Sequence, residues 1–176
     1  MKGVESLDDQ RLDLVRQAVK RDGDAFIEVT DSIKHRLYRT ARTILGIEAD
    51  AEDALDETMF KAWRGIHSLR HPEFFDTWIT TILVRECQKI LKRQKRELLY
   101  AELPETAVEA LDALPIHEAV RCLPQQLRDV IALRFFSEMT VPQTAQALAI
   151  PEGTVKTRQR KALSLLKLEL GEDYEK

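Results

Sequence analysis

The sequence predicts an all-α protein made of two small helical domains joined by an acidic linker. Three observations carry this. Apolar residues recur at intervals of three and four through most of the chain, strand-like alternation is nearly absent, and an acidic, proline-interrupted stretch separates two periodic halves. A length of 176 residues suits one ordinary domain or two small ones. With 44% hydrophobic and 32% charged residues, the chain has the mixture of a globular protein with a core to bury.

The first helix is expected from Asp24 to about Leu45, where Phe26, Val29, Ile33, Leu37, Ala41 and Ile44 share a face and Gly46 stops the pattern. A second, from about Asp50 to Ile66, carries Ala51, Leu55, Met59, Ala62 and Ile66 on its stripe, widened by Trp63. His67 to Glu73, with Pro72, reads as a turn. It leads into a third helix whose face collects Phe75, Ile79, Ile82, Leu83, Cys87, Ile90 and Leu91. These three helices define a first domain over residues 1–96. Residues 97–118 then hold Glu97, Glu102, Glu105, Glu109, Asp112 and Glu118, no lysine or arginine, and the interrupting Pro104 and Pro115, which makes them the linker.

The second domain, 119–176, opens with a helix after Leu123-Pro124, with Leu127, Val130, Ile131 and Arg134 at helical spacing. Thr140-Val-Pro-Gln143 is a capping box that starts a short helix bearing Val141, Ala145 and Leu148. A turn at Ala149-Ile150 leads to another helix, beginning around Pro151 to Thr154, with Val155, Gln159, Ala162 and Leu166 on one side. Two helices across a tight turn form a helix-turn-helix.

Several function classes are excluded. Cys87 and Cys122 are far apart, each within an apolar helical pattern, so they read as reduced core residues rather than a disulfide framework. The N-terminus has no apolar signal segment, and no apolar run approaches the roughly 20 residues that span a bilayer, so a cytoplasmic protein without membrane insertion is expected. No nucleophile elbow, phosphate loop or HExxH pattern occurs, which argues against an enzyme with a small-molecule substrate. His67 and His71 are four apart, but Pro72 breaks the helix that would make them metal ligands, and neither a metal nor a cofactor is expected.

The net charge of -3 conceals strong segregation. Residues 153–167 hold Lys156, Arg158, Arg160, Lys161 and Lys167 with no acid, and these are expected opposite Val155, Ala162 and Leu166. Such a helix can enter a major groove, where arginine pairs with guanine and lysine neutralises phosphate. Arg158 is the expected base reader and Lys161 the expected phosphate binder. A second basic cluster, Arg85, Lys89, Lys92, Arg93, Lys95 and Arg96, exceeds what a helix dipole requires, and Phe74 and Trp78 nearby offer stacking surfaces to unpaired bases. Arg85 and Lys89 lie four apart, on the same side of their helix. Residues 48–57 carry six acids and no base, a surface that repels DNA and suits a basic protein partner.

Together these features resemble the extracytoplasmic-function group of sigma factors, over nearly the whole chain from Asp24 to Leu170. The stretches DAEDALDETMFKAWRGI and FDTWITTILVRECQKILKR are similar to the family's second region, and LPQQLRDVIALRFFSEMTVPQTAQALAIPEGTVKTRQRKAL to its fourth. The resemblance implies a region 2 helical bundle, a region 4 helix-turn-helix, and a factor that directs core RNA polymerase to promoter DNA. It implies polymerase binding by Asp53, Asp56 and Glu57, and minus 10 binding by Trp78, Arg85, Lys89, Lys92 and Arg93 with the loop His67 to Phe74. It further implies minus 35 binding by Lys156, Thr157, Arg158, Arg160 and Lys161, a linker that threads toward the RNA-exit path, and an anti-sigma partner. Arg85 and Lys89 stand where the family often has Asn and Asp, Ala149 where it usually has glycine, and Gln143-Thr144 where an acidic and aliphatic pair is common. The alternative is an autonomous helix-turn-helix regulator, but such proteins usually add a dimerisation or ligand domain, which this sequence does not display.

Overall fold

A computed structural model describes residues 7–100 and 115–173, and every described element is helical. The elements are α1 (Leu7–Val19), α2 (Gly23–Leu45), α3 (Glu48–Gly65), α4 (Phe75–Tyr100), α5 (Pro115–Cys122), α6 (Gln125–Ile131), α7 (Val141–Leu148) and α8 (Glu152–Asp173). Short 3-10 turns, Ile66–Ser68 and Pro72–Phe74, connect α3 to α4, and α6 continues as a π-turn over Ala132–Phe136.

Local chemistry sets the boundaries. The Asp22 carboxylate accepts from the Ala25 amide at 3.0 Å to start α2. Gly46 ends it at φ +78°, a left-handed conformation that glycine adopts without steric cost. The capping box at Thr140 is formed in both directions, with Thr140 N donating to Gln143 Oε1 at 2.7 Å and Gln143 N to Thr140 Oγ1 at 3.4 Å. Ala149 is left-handed at φ +53°, a strain of about 1 kcal/mol that glycine would not carry.

The structure differs from the sequence reading in three elements. It adds α1, which packs Val15 and Ala18 against the first bundle. It carries α4 four residues past Arg96 and starts α5 at Pro115, so both ends of the expected linker are helical. Residues 101–114 of that linker lie outside the described residues.

The first bundle is organised around Leu37, Ile44, Ile66, Phe75, Ile79 and Leu83, each at most 2% exposed. The C-terminal helices have their own small core, in which Leu127, Ile131, Ala162 and Leu166 meet. The two units are packed together: Ala132, Leu133, Met139 and Ala147 belong to the same apolar cluster as the first bundle. Burying Leu133 fully is worth roughly 1.5–3 kcal/mol. Polar bonds flank this seam: the Thr40 and Ser137 hydroxyls lie 2.7 Å apart, and the Gln125 side-chain amide donates to the Ile44 carbonyl at 3.2 Å.

Candidate nucleic-acid interface

The loop between α3 and α4 is anchored by apolar residues and displays polar and aromatic ones. Ile66, Leu69 and Phe75 are buried, whereas His67, Arg70, His71, Glu73 and Phe74 are exposed. Phe74 is 53% exposed and stands edge-on to the His71 ring at 6.0 Å, while His71 Nδ1 lies 3.1 Å from the Glu73 carboxylate. The Trp78 ring packs over Gly65, where an added Cβ would come within 3.4 Å of it. A cleft of about 750 Å³ opens between this loop, α4 and the start of α7, with Phe74, Trp78, Arg85, Gln143 and Gln146 among its walls. Its walls therefore combine aromatic rings, cations and amides, a composition suited to an unstacked base and its phosphate.

The cations of α4 do not act as one group. Arg85 is exposed on the cleft, but Lys89 donates to both oxygens of Glu86 at 3.0 and 3.1 Å. Glu86 is itself buried and also accepts from Lys61 at 2.6 Å, and Lys61 reaches Glu57 at 2.8 Å. Burial raises the Glu86 carboxyl, yet hydrogen bonds from Lys61 and Lys89 outweigh it and hold the group below the usual carboxylate range. Arg93 lies 3.6 Å from Asp50 and 3.8 Å from Glu97. Lys92 is exposed. The shared side expected of Arg85 and Lys89 thus divides, with Arg85 at the cleft and Lys89 committed to the buried carboxylate.

On the other side of this boundary, Asp53, Asp56 and Glu57 are exposed along α3 and line a groove of about 730 Å³ with Lys89, Arg93 and Arg96. Phe60 continues the same helix, 55% exposed, under the Arg64 guanidinium at 5.5 Å from the ring centre. Helical spacing already places Phe60 about 140° from Leu55 and off the buried stripe, a signal that the sequence reading did not use.

On α8, Val155, Ala162 and Leu166 are buried and Lys156, Thr157, Arg160 and Lys161 are exposed, as the helical spacing predicts. Arg158 departs from the expectation that it lies opposite the buried stripe. At 3.6 residues per turn it falls only about 60° from Val155, and it donates to the Gln126 side chain on α6 at 2.9 Å. Thr157 directs its hydroxyl to the Gly153 carbonyl at 2.9 Å.

Two family models match this chain, sigma-70 region 2 over residues 30–97 and sigma-70 region 4 over residues 119–168. This chain is a sigma factor of the sigma-70 family, in the extracytoplasmic-function (ECF) group. It is 30% identical to the ECF RNA polymerase sigma factor SigW of Bacillus subtilis, over 89% of this chain and 94% of that protein. It is also 30% identical to the ECF RNA polymerase sigma factor SigM of Mycobacterium tuberculosis, over 90% of this chain and 84% of SigM. Among solved structures, CnrH in complex with the cytosolic domain of CnrY aligns with a TM-score of 0.70 at 21% identity, covering 93% of this chain and 98% of CnrH. RpoE in complex with the anti-sigma factor NepR from Bartonella quintana gives 0.72 at 23% identity, covering 83% and 96%. These two likenesses concern the fold. As an alternative sigma factor, the protein binds core RNA polymerase and directs transcription initiation at promoters.

Among the described residues no cluster of three or more His, Cys, Asp or Glu is arranged to hold a metal, and no helix is long and apolar enough to cross a membrane. His67 and His71 have other partners, Arg21 at 2.8 Å and Glu73 at 3.1 Å.

Proposed function

We propose that three separate surfaces of this sigma factor divide the work of initiation. The exposed face of α3, with Asp53, Asp56, Glu57 and Phe60, docks on basic helices of the polymerase. The cleft bearing Phe74, Trp78 and Arg85 takes up the unpaired minus 10 strand, with Lys92 available to its phosphates. Lys156, Arg160 and Lys161 of α8 approach the minus 35 element as duplex. Lys89 and Arg93 contribute mainly by holding α4 to α3. The protein acts in the cytoplasm, without chemistry or a cofactor of its own, and an anti-sigma factor restrains it.

The observation that supports this reading best is the segregation itself: an acidic face with one exposed aromatic, a cationic aromatic cleft, and a basic recognition helix lie on distinct elements. A DNA-binding protein working alone has no use for the first of these. The test is to add the purified chain to sigma-free core polymerase and measure promoter-specific transcripts. Asp56→Lys with Glu57→Lys should abolish polymerase binding, while Trp78→Ala should preserve it and lose open-complex formation. Tight binding of promoter duplex by the isolated chain in ordinary salt would instead identify an autonomous regulator.

A further inference from the structure

The loop that lines the cleft is held from outside at both ends, and much of the hold comes from α1. At the entry, Arg21 follows the last turn of α1 with φ +73°. Its guanidinium donates to the Trp63 carbonyl at 2.9 Å, the Arg64 carbonyl at 3.2 Å and His67 Nδ1 at 2.8 Å, and it lies 5.7 Å from the centre of the Trp63 ring. Carbonyls in the last turn of a helix have no amide partner within it, so Arg21 caps α3 and grips the first part of the loop in one geometry. A guanidinium can only donate, so His67 accepts through Nδ1 and carries its proton on Nε2. At the exit, the Asp76 carboxylate in the first turn of α4 is bound by Arg11 of α1 and by Arg36 of α2. Between the two clamps, α1 also packs directly on both 3-10 turns of the loop.

Helix α1 and Arg21 lie before residue 30, where the match to region 2 begins. We propose that Arg21 and Arg11 are positioning residues for minus 10 recognition, and that α1 is the buttress that fixes both ends of the reading loop. The inference rests on the reading of the cleft as the minus 10 site. Its physical basis is preorganisation: His71, Phe74 and Trp78 discriminate bases only if the loop that sets their spacing does not relax around a wrong one. Arg21 touches none of the cleft walls, so its influence passes through the ends of α3 and the loop.

The test uses holoenzyme reconstituted with the full chain and a promoter library randomised in the minus 10 element with the minus 35 element fixed. Arg21→Ala should lower the ratio of transcripts from preferred over single-base-altered promoters by between about three- and tenfold, the scale of one or two net hydrogen bonds. Polymerase affinity and minus 35 preference should stay within about twofold of wild type, since neither surface touches Arg21. Arg21→Lys, which keeps the charge but not the fork, should recover part of the ratio, and Arg11→Ala should lower it from the other clamp. Phe74→Ala, on the cleft itself, is the control. If Phe74→Ala changes the minus 10 ranking while Arg21→Ala and Arg11→Ala reduce all promoters equally, the buttress is overturned and the cleft reading survives. If Phe74→Ala also leaves the ranking untouched, both fall.

Discussion

Gln143 Nε2 donates to the Thr77 hydroxyl across 2.8 Å, while Gln143 Oε1 accepts from the Thr140 amide at 2.7 Å. One side chain therefore starts the first helix of the helix-turn-helix and fastens it to the helix that lines the proposed minus 10 cleft. Because Thr140, Pro142, Gln143 and Gln146 wall the cleft together with Thr77 and Trp78, this packing narrows access to the proposed strand-binding surface. On the proposed reading, engagement of the strand therefore depends on how tightly the two units pack. Thr77→Val removes the bond and leaves the capping box intact. It should loosen the seam by about 1 kcal/mol, and the free chain labelled on both units should show a larger fraction of long distances by energy transfer. An unchanged distance distribution would mean that the apolar seam at Leu133 alone sets the closed state.

A second polar group near that seam gives a pH signature. Asp129 on α6 is half-buried, and desolvation pushes its carboxyl above the ordinary value of 3.8 despite the Gln125 amide at 2.6 Å. Folding thus favours the protonated form, so the associated stability is present below that ordinary value and lost as pH rises through the raised one. Asp129→Asn keeps an acceptor for Gln125 and removes the charge. It should raise the melting temperature at neutral pH, and the gain over wild type should vanish in acid below about pH 4. Equal melting curves at both pH values would show that Asp129 is well solvated.

The features legible in the sequence were those that repeat along one helix or close within four residues. The stripes of α2, α3 and α4, the left-handed stop at Gly46 and the Thr140 capping box all depend on local spacing, and all are found in place. What escaped depends on partners distant in the chain. Arg21 meets the end of α3 more than forty residues on, and Asp76 meets Arg11 across sixty-five. Leu133 and Met139 lie in the second half of the sequence, yet they complete the core of the first bundle. Helix α1 offers a short stripe, Leu14, Val15, Ala18 and Val19, among charged neighbours, and it becomes stable through tertiary packing.

The buried Glu86 carboxylate supplies a test of the division among the α4 cations. It is 8% exposed and bonded to Lys61 and Lys89, so replacing it by glutamine should destabilise the first bundle by about 1–3 kcal/mol in thermal or denaturant unfolding. Its carboxyl is held below the usual range, so this stability is present at neutral pH and lost as pH falls through the lowered value. The Glu86→Gln chain should therefore lack that acid-side loss. Lys89→Ala should cost less, since Lys89 is exposed and Lys61 still holds Glu86, and it should leave minus 10 preference unchanged, whereas Arg85→Ala should preserve stability and weaken open complexes on all promoters.

The placement of Arg158 against Gln126 changes which side chain of α8 is expected to read a base. Arg160 is exposed well away from the buried stripe and carries the fork that pairs with guanine, so it replaces Arg158 as the expected base reader. Arg160→Ala should cost roughly 1–3 kcal/mol on the preferred minus 35 sequence and relax preference at one position. Lys161→Ala should weaken all sequences alike and reduce the salt dependence by the equivalent of about one phosphate contact. Arg158→Ala should leave base preference intact and lower stability by less than about 1 kcal/mol, since its bond to Gln126 is exposed to solvent. A randomised minus 35 library, transcribed by holoenzyme carrying each variant at two salt concentrations, separates the three roles. A base-specific loss with Arg158→Ala, and none with Arg160→Ala, would mean that Arg158 leaves Gln126 when the helix enters the groove.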